Sequence, residues 1–131
     1  MSDVLIVDDE PNVRVYFPLS LSASGFTCRT AASREQALAA AEAQWPDVVL
    51  LDLSLTEAEA KDGWQVWDDL AARAEGRELR VILLSGELLD DDQTEARRRG
   101  AVGALSKTTR VGNLVAAIRR ALGRKADRGP E

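Results

Sequence analysis

Five short apolar runs are spread along the chain, with segments of mixed polarity between them. The runs are VLIV (4–7), FTCRTA (26–31), VVLLDL (48–53), RVILLS (80–85) and AVGALS (101–106). Several of them lack polar alternation, which is typical of strands that are buried on both faces. The pattern therefore predicts five strands of a buried sheet.

The segment after the first run carries the signals of a helix. Pro11 suits the first turn of a helix, which is expected to run to about Ser24 and to stop at Gly25. Pro18 lies inside this segment and predicts a kink or an early break, because proline cannot donate the backbone hydrogen bond of a helix interior.

Four further helices are predicted from caps, apolar spacing and closing glycines. Ser33 and Gln36 form a capping box that opens the second helix, which reaches Ala43. The third and fourth helices end at Gly76 and Gly100, and the fourth begins with aspartates and ends with arginines, as the helix dipole favours. Apolar residues at helical spacing mark the third helix at Trp67, Leu70, Ala71 and Ala74, and the fifth at Val111, Leu114, Val115, Ile118 and Leu122.

The order of these elements, βαβαβαβαβα, predicts an α/β fold with a parallel sheet and helices on both of its faces. We expect one domain over residues 1–122 and a charged, disordered tail over residues 123–131. The sequence contains no internal repeat, and it gives no sign of a second domain or of a linker to an output module.

Composition limits the class of protein. With 131 residues, 45% of them hydrophobic and 30% charged, the chain has the make-up of one globular domain. Its net charge of −5 disfavours direct binding to nucleic acid. The apolar runs are too short to span a bilayer and the N-terminus lacks a signal-peptide pattern, so we expect a cytoplasmic location and no membrane association.

The chain contains no histidine and a single cysteine, Cys28. Ser-His and Cys-His nucleophile pairs, histidine-ligated metals, internal disulfides and cysteine-rich zinc sites are therefore excluded. The chain likewise cannot carry phosphate on histidine. Any chemistry must use carboxylates, hydroxyls and lysine.

Polar residues stand at the carboxyl ends of four predicted strands. Asp8 and Asp9 follow the first strand, Asp52 lies near the end of the third, Ser85 ends the fourth and Lys107 follows the fifth. In an open parallel sheet, ligands bind at the carboxyl ends of the strands, where the strand order reverses. Taken alone, each residue has a simpler explanation as a helix cap, a turn former or a solvated lysine. Their joint occurrence at one edge predicts a site.

With these residues the chain resembles the receiver domains of two-component response regulators. The resemblance rests on the acid pair Asp8–Asp9, the central Asp52, the hydroxyl of Ser85 and Lys107, in that order. It covers about residues 2–122, and it implies a flavodoxin-like, doubly wound five-stranded parallel sheet with strand order 2-1-3-4-5.

The resemblance also implies the chemistry of the site. Asp52 would be the phospho-acceptor, taking a phosphoryl group from a sensor histidine kinase or a phosphotransfer protein. Mg²⁺ (or Mn²⁺) would be bound directly by Asp9, Asp52 and the backbone carbonyl of Ser54, and largely through water by Asp8. The ion would explain why acidic residues that repel one another stand side by side.

Further roles follow from the same resemblance. Lys107 would bind one phosphoryl oxygen as a point charge, and Ser85 would donate its hydroxyl to another. Ser54 and Glu87 would tune the hydrolysis of the phosphate. Glu10 is expected to favour the start of the first helix through the helix dipole.

The sequence departs from the family pattern in the switch region. Ala104 stands where an aromatic ring usually reports phosphorylation, and Thr108 stands where a proline usually follows the lysine. A cis bond before a non-proline residue would cost about 2.5–4 kcal/mol, so we expect a trans bond and a rearranged loop.

The segment 54–62 is longer than usual and is expected to be a polar loop, either a tolerated insertion or a partner contact. Trp64 and Trp67 are expected to pack in the core and at its boundary, and an exposed Trp64 would suit a partner contact.

Three functional hypotheses are compatible with the sequence. The favoured hypothesis is a stand-alone receiver that is phosphorylated and is not an enzyme. It would contact an unknown downstream protein or pass phosphate on in a relay. A homodimer is left open. The alternative is a receiver-like interaction module that works without phosphorylation, favoured by Ala104 and Thr108 and opposed by the complete set of site residues. An aspartyl phosphohydrolase would need a second acid two residues after the nucleophile, where Ser54 stands.

Overall fold

Five parallel strands form one sheet that carries helices on both faces, in a computed structural model that describes residues 2–53, 63–86 and 90–127. The predicted site residues Ser54 and Glu87, and the loop 54–62, lie outside the described residues. In chain order the elements are β1 (Asp3–Val7), α1 (Pro11–Ser22), β2 (Thr27–Ala31), α2 (Arg34–Ala43), β3 (Val48–Asp52), α3 (Gly63–Ala72), β4 (Val81–Ser85), α4 (Asp90–Arg99), β5 (Gly103–Ser106) and α5 (Val111–Asp127).

The strand order is β2-β1-β3-β4-β5, which confirms the predicted topology. Strands β1, β3 and β4 are buried at every residue, as their unbroken apolar sequences predicted. Their register places Ile6 opposite Leu50 and Leu50 opposite Ile82. Because the strands are parallel, their carboxyl ends all meet at one edge of the sheet. We call this edge, formed by the residues at and just after the ends of β1, β3, β4 and β5, the carboxyl edge.

The core lies in layers on the two faces of the sheet. On one face α1 and α5 cover a cluster that includes Phe17, Leu21 and Ile118. On the other face α2 and α3 cover a cluster that includes Ala37 and Trp67. Within the described ranges, no helix combines the length and the apolar character needed to cross a bilayer.

Helix α1 differs from the sequence-based prediction at Pro18. It continues through Pro18 to Ser22, so the early break predicted at the proline is wrong. Phe17 and Leu21 are buried on either side of Pro18, and their packing outweighs the backbone hydrogen bond that proline cannot donate. Gly25 has a left-handed φ of +95°, which lets the chain turn away after the helix as predicted.

Helix α5 extends past the predicted domain boundary at residue 122. It runs to Asp127. The division into a domain over residues 1–122 and a tail over residues 123–131 stays a prediction. Residues 128–131 lie outside the described part of the chain.

The capping box of α2 forms with one shift. Ser33 Oγ accepts a hydrogen bond from the backbone N–H of Gln36 at 3.2 Å, as predicted. The side-chain oxygen of Gln36 accepts in return from the backbone N–H of Ala32 at 2.7 Å, one residue before the cap. Both bonds satisfy backbone donors where the chain enters the helix.

Candidate functional site

The carboxyl edge brings the predicted site residues together. Asp8 follows β1, Asp52 ends β3, Ser85 ends β4, and all three are buried. Lys107 follows β5, and its backbone N–H donates to the carbonyl of Ser85 at 2.9 Å, which ties the end of β5 to the end of β4. The topology therefore places residues separated by almost the whole chain in one cluster.

The ammonium of Lys107 is the electrostatic centre of this cluster. Its Nζ lies 3.0 Å from Asp52 Oδ2, 3.0 Å from Asp8 Oδ2 and 2.6 Å from Glu10 Oε1. Burial on its own would lower the pKa of Lys107, but hydrogen bonds to Glu10, Asp8 and Asp52 raise that pKa above its ordinary value. Lys107 is therefore charged in the folded protein.

Asp8 is the most deeply buried acid at the carboxyl edge. Its Oδ1 accepts from the backbone N–H of Glu10 at 2.9 Å and from Lys107 Nζ at 3.2 Å. Burial raises the pKa of Asp8, and these two hydrogen bonds oppose that rise. Its Oδ2 is within ion-pair distance of Lys107, yet no described group is aligned to donate a hydrogen bond to it. One buried carboxylate oxygen thus faces the site with a lone pair available.

The acids at this edge fit a divalent cation. Asp8, Asp9 and Asp52 each offer a carboxylate oxygen, and these oxygens lie within 4.8 Å of one another. A set of oxygen donors is what Mg²⁺ prefers, with waters completing its octahedral shell. Together with Glu10 these acids outnumber the single ammonium of Lys107, so a further positive charge would lower their mutual repulsion. Ser54, the remaining predicted ligand, is outside the described residues.

The switch region has a small side chain and a tight turn. Ala104 pairs with Leu83 across β4 and β5 and packs against a small cluster that contains Leu53 and Ala96. The peptide bond between Lys107 and Thr108 is trans, as predicted. A turn follows it, in which the backbone N–H of Thr109 donates to the carbonyl of Ser106 at 3.0 Å.

Gly63 lies directly against the strand end that carries Asp52. Its N–H donates to the carbonyl of Leu53 at 2.7 Å. A Cβ at this position would lie 2.4 Å from the carbonyl oxygen of Asp52, which is too close for any side chain. Glycine therefore lets α3 begin immediately beside the phospho-acceptor candidate.

The two tryptophans of α3 pack as predicted, and an arginine of α4 joins them. Trp67 is buried and Trp64 is half-buried, with ring centroids 6.0 Å apart. The guanidinium of Arg99 lies 4.9 Å from the centroid of the Trp64 ring and bonds Asp68 at 2.6 Å and Glu95 at 2.7 Å. Burial would lower the pKa of Arg99, but these two carboxylates raise it. Arg99 thereby ties α4 to α3.

The sequence-based reasoning missed two of these contacts. Glu10 was expected only to favour the helix start, yet its carboxylate reaches Lys107. The available signal was that Glu10 directly follows the acid pair Asp8–Asp9, which was expected beside Lys107. The contact between Arg99 and Trp64 had no comparable signal, since the two residues belong to different helices.

Comparison with known proteins identifies the family. A model of the response regulator receiver domain matches residues 4–119. The chain belongs to this family, whose members are signalling modules that interact with histidine kinases or phosphotransfer proteins. Phosphorylation and Mg²⁺ binding are typical of the family.

Individual relatives agree with this assignment. The chain is 32% identical over 120 residues to the nitrogen assimilation regulatory protein NtrX of Azorhizobium caulinodans, a match that covers 92% of this chain and 26% of that protein. It is 33% identical over 124 residues to the KDP operon transcriptional regulatory protein KdpE of Escherichia coli, covering 95% of this chain and 52% of that protein. The chain thus spans about a quarter and about half of the length of these curated relatives.

A solved structure with a similar fold is that of the chemotaxis protein CheY4 of Vibrio cholerae. Its TM-score with this chain is 0.83 at 25% identity, and the match covers 93% of this chain and 99% of that one. The receiver fold therefore accounts for nearly all of the described residues.

Proposed function

We propose that this chain accepts a phosphoryl group on Asp52 from a sensor histidine kinase or a phosphotransfer protein, and that it signals by contacts with other proteins that phosphorylation strengthens or weakens. One observation carries the proposal. The ammonium of Lys107 lies 3.0 Å from the buried Asp52 carboxylate, at the edge where a parallel sheet binds its ligands.

The residues suit the transfer step. A carboxylate oxygen of Asp52 attacks the phosphorus, the P–N bond to the partner's histidine breaks, and the imidazole leaves with the bonding electrons. Phosphoryl transfer depends mostly on positioning and on stabilising the charge of the equatorial oxygens. Lys107 would hold one of these oxygens through its ammonium, and the hydroxyl of Ser85 would donate to another.

A divalent cation fits beside these groups. Asp9, Asp52 and the Ser54 carbonyl would be its direct ligands, and Asp8 would bind mainly through water. When bound, Mg²⁺ would supply positive charge that stabilises the phosphoryl oxygens. Ser54 and Glu87 stay predicted positions for tuning the lifetime of the phosphate.

The first helix offers a contact surface next to the site. Val15, Tyr16 and Leu19 are exposed apolar residues that share one side of α1, which begins two residues after Asp9. A phosphoryl donor has to approach the carboxyl edge, so it would pass beside this surface. We propose that the donor protein contacts it during transfer.

A second candidate function is a receiver-like module that works without phosphorylation. The observation that favours it is Ala104, which leaves no aromatic ring to follow movement of Ser85. The charge arrangement around Lys107 favours the first function, because an ammonium held between two buried carboxylates is costly to maintain for a merely structural purpose.

The test of the proposal is intact-protein mass spectrometry after incubation with Mg²⁺ and acetyl phosphate. The wild type should gain one phosphoryl group, and Asp52→Asn should gain none. Asp91→Asn, which changes an exposed acid of α4, should behave like the wild type. Absence of a gain in the wild type, with Mg²⁺ binding confirmed by calorimetry, would favour the phosphorylation-independent module. An equal gain in wild type and Asp52→Asn would show that the acceptor is another residue.

A further inference from the structure

Among the described contacts of Lys107, the one with Glu10 is the shortest. The distance from Nζ to Glu10 Oε1 is 2.6 Å, compared with 3.0 Å to the nearest oxygen of Asp8 and of Asp52. The Glu10 side chain is 56% exposed, whereas that of Lys107 is 13% exposed. An exposed carboxylate at the mouth of the site therefore holds an ammonium that is mostly covered.

The local backbone directs Glu10 to this position. Glu10 is the N-cap residue of α1, in extended conformation with φ −83° and ψ 120°, and its side chain makes no capping hydrogen bond. Its backbone N–H is fixed by Asp8 Oδ1 at 2.9 Å. The carboxylate is thus not used to begin the helix and is free to reach Lys107.

The number of N–H donors on the Lys107 ammonium limits how many oxygens it can bind at once. A lysine ammonium has three N–H donors, and three carboxylates surround Nζ here. A phosphoryl oxygen can bind Lys107 only when one carboxylate gives up its place. Asp8 and Asp52 are buried at the ends of strands, but Glu10 is exposed and has rotamer freedom. Glu10 is the partner that can leave at the lowest cost.

We propose that Glu10 is a positioning residue, which holds Lys107 in the unphosphorylated protein and slows phosphorylation until it is displaced. This inference rests on the function proposed above. Two effects act in the same direction, because the Glu10 carboxylate occupies a donor that the phosphoryl group needs and also repels an anionic phosphoryl donor. Neutralising Glu10 should therefore accelerate the reaction.

The test compares Glu10→Gln with the wild type and with Glu35→Gln. Glu35 is an exposed glutamate in the first turn of α2, so its replacement changes the net charge equally at a residue that makes no described hydrogen bond with Lys107. Phosphorylation by acetyl phosphate should be about two- to fivefold faster in Glu10→Gln at low ionic strength, the range expected for a solvent-exposed ion pair. The difference should shrink in concentrated salt, and Glu35→Gln should match the wild type.

A second measurement reports on Lys107 without any phosphorylation. The ¹⁵N NMR signal of the Lys107 ammonium should shift in Glu10→Gln and stay unchanged in Glu35→Gln. The role of Glu10 would be overturned if the wild type is phosphorylated on Asp52 and Glu10→Gln reacts at the same rate or more slowly. The proposed function would stay intact in that case. A wild type that takes up no phosphate would overturn the proposed function and this inference with it.

Discussion

Replacing Gly63 by alanine tests how tightly α3 is packed against β3, the strand that ends in Asp52. The new Cβ would lie 2.4 Å from the Asp52 carbonyl oxygen and 2.7 Å from the Cα of Leu53. Non-bonded carbon atoms normally approach to about 3.5–4.0 Å, so one side of the contact has to move by about 1 Å. Both contacted atoms are backbone, and they cannot rotate away as the end of a side chain could.

The cost of this shift is large for a single methyl group. Adding atoms to a packed core costs about 1–3 kcal/mol, and we expect Gly63→Ala near the upper end of that range. The reason is that the same shift strains the 2.7 Å hydrogen bond from the Gly63 N–H to the Leu53 carbonyl. Urea unfolding followed by tryptophan fluorescence measures the loss. The rate of phosphorylation should also fall, because the backbone of Asp52 is displaced.

Gly112 provides the matched control for this substitution. It lies in the first turn of α5, and a Cβ there meets nothing within 4 Å. Gly112→Ala should be neutral or up to about 1 kcal/mol more stable, because alanine is the better helix former. A Gly63→Ala protein with wild-type stability and wild-type phosphorylation would refute the argument from steric contact.

Three further predictions concern charge and burial. Burial raises the pKa of Asp8, so the folded state keeps this proton to higher pH than the unfolded chain, and stability is lost as the pH rises through the folded pKa. In metal-free buffer, Asp8→Asn should be more stable than the wild type at neutral pH, and this gain in stability should vanish below about pH 3.9. Urea unfolding measured across this pH range checks the prediction. A variant that is less stable than the wild type at neutral pH would contradict it. Burial, together with the nearby charge of Asp3, raises the pKa of the Cys28 thiol. At mildly alkaline pH, iodoacetamide should therefore modify Cys28 more slowly in the folded protein than in urea. Equal rates of modification would contradict this prediction. Arg99→Met should cost about 1–2 kcal/mol in urea unfolding, since it removes two ion pairs and the contact with the Trp64 ring, and an unchanged midpoint would count against that coupling.

The order of elements and the principal site residues could be predicted from local features of the sequence. A run such as Val48–Asp52 has no polar alternation, and this alone indicates a strand covered on both faces. Once five such strands are parallel, residues at their ends must meet at one edge. Asp8, Asp52 and Lys107 could therefore be assigned to one cluster without knowledge of any side-chain position.

Other features depended on which distant segments pack together. Helix α1 continues through Pro18 because Phe17 and Leu21 are buried, and the proline itself does not reveal this burial. The contact of Arg99 with Trp64 required α4 to lie beside α3. These outcomes depend on the free energy of tertiary packing, which is a sum over contacts between segments far apart in the chain.

The pairing of Glu10 with Lys107 stands between these two cases. The sequence determined that three consecutive acids follow β1. Only the tertiary structure decided that an ammonium from the far end of the chain would be shared by the first and third of them and by Asp52. The physical reason is that the sequence decides which charged groups follow a strand, whereas the partner of each group depends on the topology that brings distant strand ends together.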